Sequence, residues 1–263
     1  MPSSMPPMPM LLPMPLLPLP PAGLAWLFSA LANALLILPL RRVPVLTTAG
    51  WFHAWILGTL LGASLGWRGW LAVVLYLALG SAVTRLGLAR KRAAGLAEKR
   101  DGRRGPENVW GSAATGAVLA LMTTLPGAPQ GLLLTGFVAS FAAKLGDTCG
   151  SEIGKRWGRR TVSLTRLRPV PAGTEGAVSL EGTVASLVGA AVFAGLAVAL
   201  GLLPPSLVPA LTLVAWLATL IESLIGAELQ PRLAWLSNEA VNGLMTLLAA
   251  LLAMGLLGPS LRP

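Results

Sequence analysis

The stretch GTVASLVGAAVFAGLAVALGLL, residues 182–203, has no charged side chain and is rich in glycine and alanine. About 20 apolar residues in a helix cross the roughly 30 Å hydrocarbon core of a bilayer, and small residues let such helices pack closely. The stretch therefore predicts a membrane-spanning helix. Seven other stretches have the same apolar character, namely residues 22–40, 46–65, 69–87, 110–126, 130–146, 207–229 and 239–257.

The composition of the whole chain agrees with this prediction. Of its 263 residues, 54% are hydrophobic and 11% are charged, whereas a soluble domain carries about 25% charged residues. A water-soluble globular fold and a disordered chain are both excluded, since disorder requires low hydrophobicity. We expect an all-α bundle of about eight transmembrane helices in one domain, residues 22–258. Residues 1–21, a flexible segment rich in Pro, Met and Leu, and residues 259–263 are predicted to be tails.

The net charge of +10 is unevenly distributed along the chain. If the spans alternate, 18 of the 20 basic residues fall on one side, and only Arg68 and Arg262 fall on the other. The positive-inside rule makes the basic side cytoplasmic, or its organellar equivalent, and places both termini on the opposite side. The acids lie on the basic side too, in the loops 88–109 and 147–181 or at adjoining span ends. The polar chemistry is therefore expected at one face of a plasma or thylakoid-type membrane.

The densest polar segment is KLGDTCGSEIGK, residues 144–155. If the fifth span continues as a helix beyond Gly146, its spacing brings five polar side chains to one face, namely Lys144, Asp147, Thr148, Ser151 and Lys155. A carboxylate among lysines and hydroxyls can hold a magnesium-bound polyphosphate. The alternative is a solvated helix end with a Glu152–Arg156 ion pair. No Walker A motif is present, because the spacing is wrong and no Ser or Thr follows Lys155.

Three further groups of polar residues are candidates for the site. Closely spaced Pro and Gly around Thr174 and Glu175 favour tight turns with exposed N–H groups that could bind an anion, and a plain connecting loop explains them equally well. Arg103 and Arg104 stand before a helix entrance, where phosphate recognition is common. The last two spans carry polar stripes with Thr219, Glu222, Gly226, Asn238, Glu239, Asn242 and Thr246. Their acids, Glu222 and Glu239, lie near the membrane, where an acid needs a partner or a function. Pairing with nearby arginines is the structural alternative there.

The sequence disfavours nucleic-acid binding, and it also disfavours a site built on cysteine or histidine. Three acids interleave with the basic residues of 95–116, whereas nucleic-acid binding needs a basic stripe. Attraction to anionic lipid headgroups is sufficient to explain most of this loop. The single cysteine, Cys149, rules out an internal disulfide, and neither it nor His53 belongs to a metal or nucleophile constellation. His53 is interpreted as a helix-packing residue.

Four motifs resemble a known family of polytopic membrane proteins. They are GRRGPENVWGSAATG (102–116), FVASFAAKLGDTCGSEIGKRWGRRT (137–161), RPVPAGTEGAVSLEGTVAS (168–186) and the later IESLIGAELQ with WLSNEAVN. The family includes the phytyl-phosphate kinases of photosynthetic organisms and is more distantly similar to CTP-dependent phytol and dolichol kinases and to CDP-archaeol synthases. The resemblance implies phosphoryl transfer from a nucleoside triphosphate, in the first place CTP, to phytyl monophosphate. The product would be phytyl diphosphate for tocopherol and phylloquinone synthesis.

The resemblance also implies a set of site residues. Asp147, Glu152 and Lys155 match one family segment, and a second segment and the last polar stripe match Pro171, Gly173, Thr174, Glu175, Gly176, Asn238, Glu239 and Asn242. We expect Asp147 and Glu175 to bind Mg²⁺, with Glu152 and Glu239 as second choices. Ser151 belongs to the same helix face, and the expected phosphate ligands are Lys144, Lys155, Arg103, Arg104 and Arg168. The partners would be an isoprenoid phosphate, a nucleotide and the lipid bilayer.

Other functions are compatible with the same features. A phytol or polyprenol kinase would use a different lipid, and a prenyl-phosphate cytidylyltransferase would transfer a different part of CTP. A transporter could use the acids within the spans, but transporters place their sites near the midplane between internal repeats. Here the acids gather at one face, and no convincing repeat is present. Transport is therefore the weaker interpretation.

Overall fold

The computed structural model describes residues 22–258, and both predicted tails lie outside this range. Residues 22–258 are mostly helical, with very little strand, as the sequence predicts. Its helices are α1 (Ala22–Leu40), α2 (Thr48–Arg85), α3 (Leu88–Ala93), α4 (Pro106–Met122), α5 (Gln130–Trp157), α6 (Leu180–Ala199), α7 (Val208–Glu228) and α8 (Asn238–Leu257). Short 3₁₀ turns cover Lys99–Gly102 and Pro205–Leu207. A two-stranded antiparallel hairpin of β1 (Thr161–Ser163) and β2 (Ala177–Ser179) was not predicted.

The longest helix, α2, is folded back on itself at Gly66, where φ is 66° and ψ is −166°. In a continuous helix Gly50 and Gly80 would lie about 45 Å apart, at 1.5 Å per residue. Both glycines instead contact Arg104, Gly50 through the Arg104 carbonyl and Gly80 through its guanidinium. We therefore divide α2 into a first arm (48–65) and an antiparallel second arm (67–85), in agreement with the two spans predicted there.

Six helices are long and apolar enough to cross a membrane, namely α1, α2, α5, α6, α7 and α8. The folded α2 supplies two arms, and α4, with 17 residues, lies at the short end of the spanning range. Residues 22–258 thus contain eight long helical arms at the positions of the eight predicted stretches. The number of arms that cross the bilayer and the side on which the termini lie stay predictions.

Helix α5 forms the centre of the bundle. Its residues 133–146 are all buried, and it packs against α4, α6, α7, α8 and α2. Gly146 and Gly150 approach Ser186 of α6 so closely that a methyl group at either position would crowd the neighbouring helix. The contact with α6 continues along Gly150 and Gly154, and the helix runs to Trp157 rather than ending at the predicted span end. Residues 147–157 of the predicted loop are therefore helical.

The charged residues gather at one end of the bundle, which we call the polar end. There Arg85 Nη2 donates to the Pro44 carbonyl over 2.7 Å, joining the end of α2 to the linker before it. The opposite end contains the turn at Gly66, and Arg68 beside it contacts the turn at Gly201. The structure thus agrees with the charge asymmetry of the sequence, since Arg68 lies at the opposite end from the polar end.

Candidate functional site

A cavity of about 970 Å³ lies at the polar end. It is enclosed by α4 to α8 and by the loops 95–104 and 172–179. Most of the predicted site residues line it, namely Arg103, Arg104, Lys144, Asp147, Ser151, Glu152, Lys155, Gly173, Thr174, Glu175, Gly176, Asn238, Glu239 and Asn242. The candidates Pro171, Gly226 and Thr246 do not line it. Arg168 does not line it either and is exposed beside the edge of β1, where the Ser163 N–H donates to its carbonyl over 3.1 Å.

Lys144 forms the inner wall of the cavity. Its side chain is 10% exposed, and Nζ donates to the Asp147 carboxylate over 2.5 Å and to Asn242 Oδ1 over 3.0 Å. Lys144 and Asp147 are adjacent on one face of α5, as the three-residue spacing predicts. Asn242 comes from the first turns of α8. The cavity therefore ends in an ammonium group that α5 and α8 fix jointly.

The two hydroxyls predicted on this face of α5 have local partners. Thr148 Oγ1 donates to the Lys144 carbonyl over 3.0 Å, and Ser151 Oγ donates to the Asp147 carbonyl over 2.7 Å. Such bonds use the hydroxyl hydrogen and leave the oxygen able to accept another. Both residues line the cavity, so their oxygens can still receive a donor from a ligand or from water.

Lys155 joins α5 to the loop above the cavity. Its Nζ donates to Glu98 Oε1 over 2.6 Å. Burial acts to raise the pKa of Glu98, but the charge and hydrogen bond of Lys155, with smaller contributions from Glu152 and Lys144, outweigh it. The pKa of Glu98 therefore lies below its ordinary value of 4.5. The pair is ionised at neutral pH and holds the loop against the end of α5.

Glu152 has a more enclosed partner than the sequence suggested. Its carboxylate accepts a hydrogen bond from Lys91 Nζ, and the two side chains are 3% and 2% exposed. Lys91 also donates to the Thr84 carbonyl over 2.6 Å. This buried pair connects α3 to α5 and leaves the predicted Glu152–Arg156 pairing unformed in the described part of the chain. The geometry favours a positioning role for Glu152, and its catalytic role stays a prediction.

The entrance of α4 forms the opposite wall. Arg100 donates to the Glu107 carboxylate, and its Nη2 is 2.9 Å from Asn108 Oδ1. Asn108 Nδ2 in turn donates to Glu239 Oε1 over 3.0 Å, which ties α4 to the start of α8. Gly111 permits this contact, because a Cβ there would lie 2.7 Å from the Glu239 carbonyl. Glu239 therefore faces the cavity with one carboxylate oxygen already hydrogen-bonded.

Three carboxylates of the cavity could contribute oxygen ligands to the predicted metal site. Asp147 and Glu175 lie near enough to Glu222, a residue of α7 that also lines the cavity, for their negative charges to repel its carboxylate. Within residues 22–258 no three His, Cys, Asp or Glu side chains come together closely enough to hold an ion by themselves. Mg²⁺ commonly takes one or two carboxylates, several waters and substrate phosphates rather than a protein cage. The separated oxygen donors fit a cation that arrives with a polyphosphate.

The sequence did not identify every residue of this site. Glu98 gives no local signal, since it lies in a basic loop far from Lys155 in sequence. Glu222 was a candidate in the seventh span but was not among the expected metal or phosphate ligands. Tyr76, whose hydroxyl contacts Arg104, is the only tyrosine of the chain and sits in an apolar stretch. An apolar helix with one buried phenol is the signal that could have suggested it.

The comparisons with known proteins cover nearly the whole bundle. The family model described as Integral membrane protein DUF92 matches residues 31–250. An uncharacterized membrane protein of Synechocystis sp. is 49% identical over 234 residues, which cover 88% of this chain and 91% of that protein. Protein VTE6, chloroplastic, of Arabidopsis thaliana is 41% identical over 234 residues, covering 86% of this chain and 70% of that protein. No solved structure matches the chain.

A more distant relative extends the comparison. An uncharacterized membrane protein of Methanocaldococcus jannaschii is 29% identical over 226 residues, which cover 86% of this chain and 92% of that protein. The family match includes every residue that lines the cavity. It also confirms the resemblance seen in the motifs and the integral membrane location. The chain belongs to the DUF92 family of integral membrane proteins.

Proposed function

We propose that the protein is a lipid phosphotransferase that converts phytyl monophosphate to phytyl diphosphate, with CTP as the phosphoryl donor, for tocopherol and phylloquinone synthesis. The motif resemblance to phytyl-phosphate kinases supports this proposal. The similarity to Protein VTE6, chloroplastic, over most of both chains supports it further. The observation that carries it is the cavity at the polar end, where cationic and carboxylate side chains from four helices and two loops surround one space.

The position of the cavity suits one lipid substrate and one soluble substrate. Its inner wall is formed by Lys144, a buried residue in the middle of α5. Its outer rim is formed by exposed loop residues such as Arg103 and Lys99. An isoprenoid phosphate can present its head from the membrane while a nucleotide approaches from the aqueous side. The two phosphates would then meet among side chains that are already fixed.

The proposed reaction needs little covalent chemistry from the protein. An oxygen of the phytyl phosphate bonds to the γ-phosphorus of the nucleotide, and the bond from that phosphorus to the bridging oxygen breaks, releasing the nucleoside diphosphate. The acceptor oxygen is already anionic near neutral pH, because the second pKa of a phosphate monoester is about 6. No general base is required. The task of the protein is to bring two anions together and to neutralise their repulsion.

The residues of the cavity divide this task. Lys144 and Lys155 would neutralise phosphate charge, and the backbone N–H groups near Gly173 and Gly176 would bind further phosphate oxygens. Asp147 and Glu175, with Glu222 beside them, are the oxygen donors that would hold Mg²⁺ delivered with the nucleotide. When bound, Mg²⁺ would supply positive charge that offsets the negative charge of the donor phosphates.

The test is incubation of the purified protein with CTP, Mg²⁺ and phytyl monophosphate. Transfer of label from the γ-phosphorus of CTP to the lipid would support the kinase. Transfer of label from the α-phosphorus would identify a cytidylyltransferase instead and would contradict the proposal. Absence of any phytyl diphosphate, with labelled product formed only when phytol or a polyprenol is supplied in place of phytyl monophosphate, would replace the acceptor that we name.

Asp147→Asn is the most informative variant. The change removes the carboxylate beside Lys144 but keeps the side-chain shape, so we expect turnover to fall about 100-fold or more. The protein should still insert and fold. Asp101→Asn is a matched control, because Asp101 is an exposed acid at the same end that pairs with Arg92 and does not line the cavity. Full activity of Asp147→Asn would contradict the role that we assign to this carboxylate.

A further inference from the structure

Arg104 has an unusually well-fixed backbone for a loop residue. Its N–H donates to the Val45 carbonyl over 3.0 Å, and its own carbonyl accepts from the Thr47 N–H over 3.0 Å. The Arg104 carbonyl also lies against Gly50, where any side chain would collide with it. Two hydrogen bonds and one close approach therefore anchor Arg104 to the start of α2.

The side chain of Arg104 is held by the second arm of α2. Nη1 is 3.1 Å from the Tyr76 hydroxyl oxygen, and the guanidinium carbon lies 5.4 Å from the centre of the Tyr76 ring. One turn further along the helix, a Cβ on Gly80 would lie 2.7 Å from Nη2. Tyr76 is only 4% exposed. Tyr76 therefore fixes one side of the guanidinium, and the lack of a side chain at Gly80 leaves space for it there. Arg104 also lines the cavity, so the other side of its guanidinium is available to a ligand.

The charge of Arg104 is not neutralised by a neighbouring acid. Three other cations that line the cavity have carboxylate partners, namely Arg100 with Glu107, Lys144 with Asp147 and Lys155 with Glu98. For Arg104, no carboxylate of residues 22–258 lies within 4.0 Å. Its positive charge instead opposes the charge of Lys144. Within residues 22–258, Asp147 is the one carboxylate within 4.0 Å of either cation, and Glu222 also lies near enough to attract Lys144. Because Asp147 is held by Lys144, the guanidinium of Arg104 stays available to an anion.

This inner end lies at the depth of the helices rather than of the loops. Tyr76 precedes the end of α2 at Arg85 by more than two turns, a distance of about 13 Å along the helix. Lys144 precedes the end of α5 at Trp157 by more than three turns. An anion that binds here must reach below the loop layer. The head of a membrane lipid reaches this level more directly than a nucleotide at the rim does.

We propose that Arg104 and Lys144 form the subsite for the phosphate of the isoprenoid acceptor, with Tyr76 as the positioning residue for Arg104. The inference rests on the proposed function, since it names which of the two substrates occupies the inner end. The nucleotide then occupies the outer end, near Lys155 and the loop residues 95–103. Tyr76 does not contact the substrate. It holds the guanidinium without neutralising it, which a carboxylate partner would do.

The experiment measures binding of radiolabelled phytyl monophosphate to the full chain in detergent and phospholipid micelles, without nucleotide. The wild-type protein should bind phytyl monophosphate more tightly than phytol. Arg104→Gln should weaken this binding about tenfold or more, because it removes a charged donor. Tyr76→Phe keeps the ring and removes the hydroxyl, so a loss between about two- and tenfold is expected. Inorganic phosphate and CTP are the competing ligands, and the affinity for CTP should be unchanged in Tyr76→Phe.

A control variant and a stability measurement separate positioning from a merely structural role. Arg42→Gln removes an exposed arginine at the same end that does not line the cavity, and it should bind phytyl monophosphate as the wild type does. If Tyr76→Phe only loosened the bundle, CTP affinity and thermal stability would fall together with lipid binding. A selective loss of lipid-phosphate binding is the result that supports the proposal.

Three other outcomes would overturn it in different ways. Unchanged phytyl monophosphate binding in both Arg104→Gln and Tyr76→Phe would remove the assigned subsite and leave the phosphotransferase proposal standing. Loss of CTP binding with intact lipid binding would assign Arg104 to the nucleotide. No binding of phytyl monophosphate by the wild-type protein would remove the proposed function itself, and the subsite with it.

Discussion

The buried ion pair between Lys91 and Glu152 makes a quantitative prediction about stability. The two side chains are 2% and 3% exposed, and beyond Glu152 the Lys91 ammonium donates to the Thr84 carbonyl. Replacing Glu152 by Gln leaves the lysine charge buried and without its carboxylate. Breaking a buried pair from one side costs about 3–5 kcal/mol. We therefore expect Glu152→Gln to lower the free energy of unfolding by about this amount.

The geometry sets the order of the related variants. Lys91→Met should cost less than Glu152→Gln, because Glu152 keeps a second cation, Lys155, whose Nζ is 3.8 Å from Oε1. The double variant Lys91→Met with Glu152→Gln leaves no unpaired charge and should recover most of the loss. The exposed pair of Arg92 and Asp101, at 52% and 57% exposure, is the control. Breaking it should change the free energy of unfolding by less than about 1 kcal/mol.

The assay is reversible unfolding of the purified protein by SDS in mixed micelles, with the double-mutant cycle giving the coupling energy. Single variants as stable as the Asp101 control, or a double variant whose loss equals the sum of the single losses, would refute the reasoning. The same proteins also address the predicted catalytic role of Glu152. Turnover that returns with stability in the double variant would assign Glu152 to structure, and turnover that stays lost would support catalysis.

Two further predictions concern the loops over the cavity. Gly176 has φ 68°, and a Cβ there would collide with the Ser223 carbonyl. Gly176→Ala should therefore push the loop away from α7, lower the free energy of unfolding by about 1–2 kcal/mol or more, and reduce turnover. Gly195 lies in open space on α6, so Gly195→Ala is the control and should be neutral or stabilising in the same assays. Because its pKa is lowered in the folded state, Glu98 stabilises the protein above its ordinary pKa of 4.5. This contribution should disappear as the pH falls through the lower folded value, and an unfolding titration of Lys155→Met should lack that pH-dependent loss.

The helices could be predicted well because their signals are local. The eight apolar stretches correspond to the eight long arms, since twenty apolar residues in sequence are sufficient to define a span. The boundaries were less predictable where tertiary contacts extend a helix. Helix α5 continues to Trp157 because α6 packs against Gly150 and Gly154. The short strands β1 and β2 form because two segments pair with each other, and a hydropathy pattern contains no signal for such pairing.

The site was predictable only to the extent that it lies within one helix. Lys144 and Asp147 were identified from their spacing, and the structure pairs them. The partners of Lys155 and Glu152 could not be identified, because they are 57 and 61 residues distant in the chain. Arg168 was predicted from its charge alone, and that signal does not distinguish a cavity wall from the exposed edge of a hairpin.

Gly66 determines the direction of everything that follows it in the chain. Its backbone angles lie in a region that essentially only glycine adopts. Without this reversal, the 38 residues of α2 would form one rod of about 57 Å, nearly twice the thickness of the hydrocarbon core. Each later helix would then point the opposite way relative to α1, and Arg104 would lie across the membrane from Gly50. The absence of a side chain at Gly66 thus decides whether the start of α2 and the segments that follow it meet at the same end of the bundle.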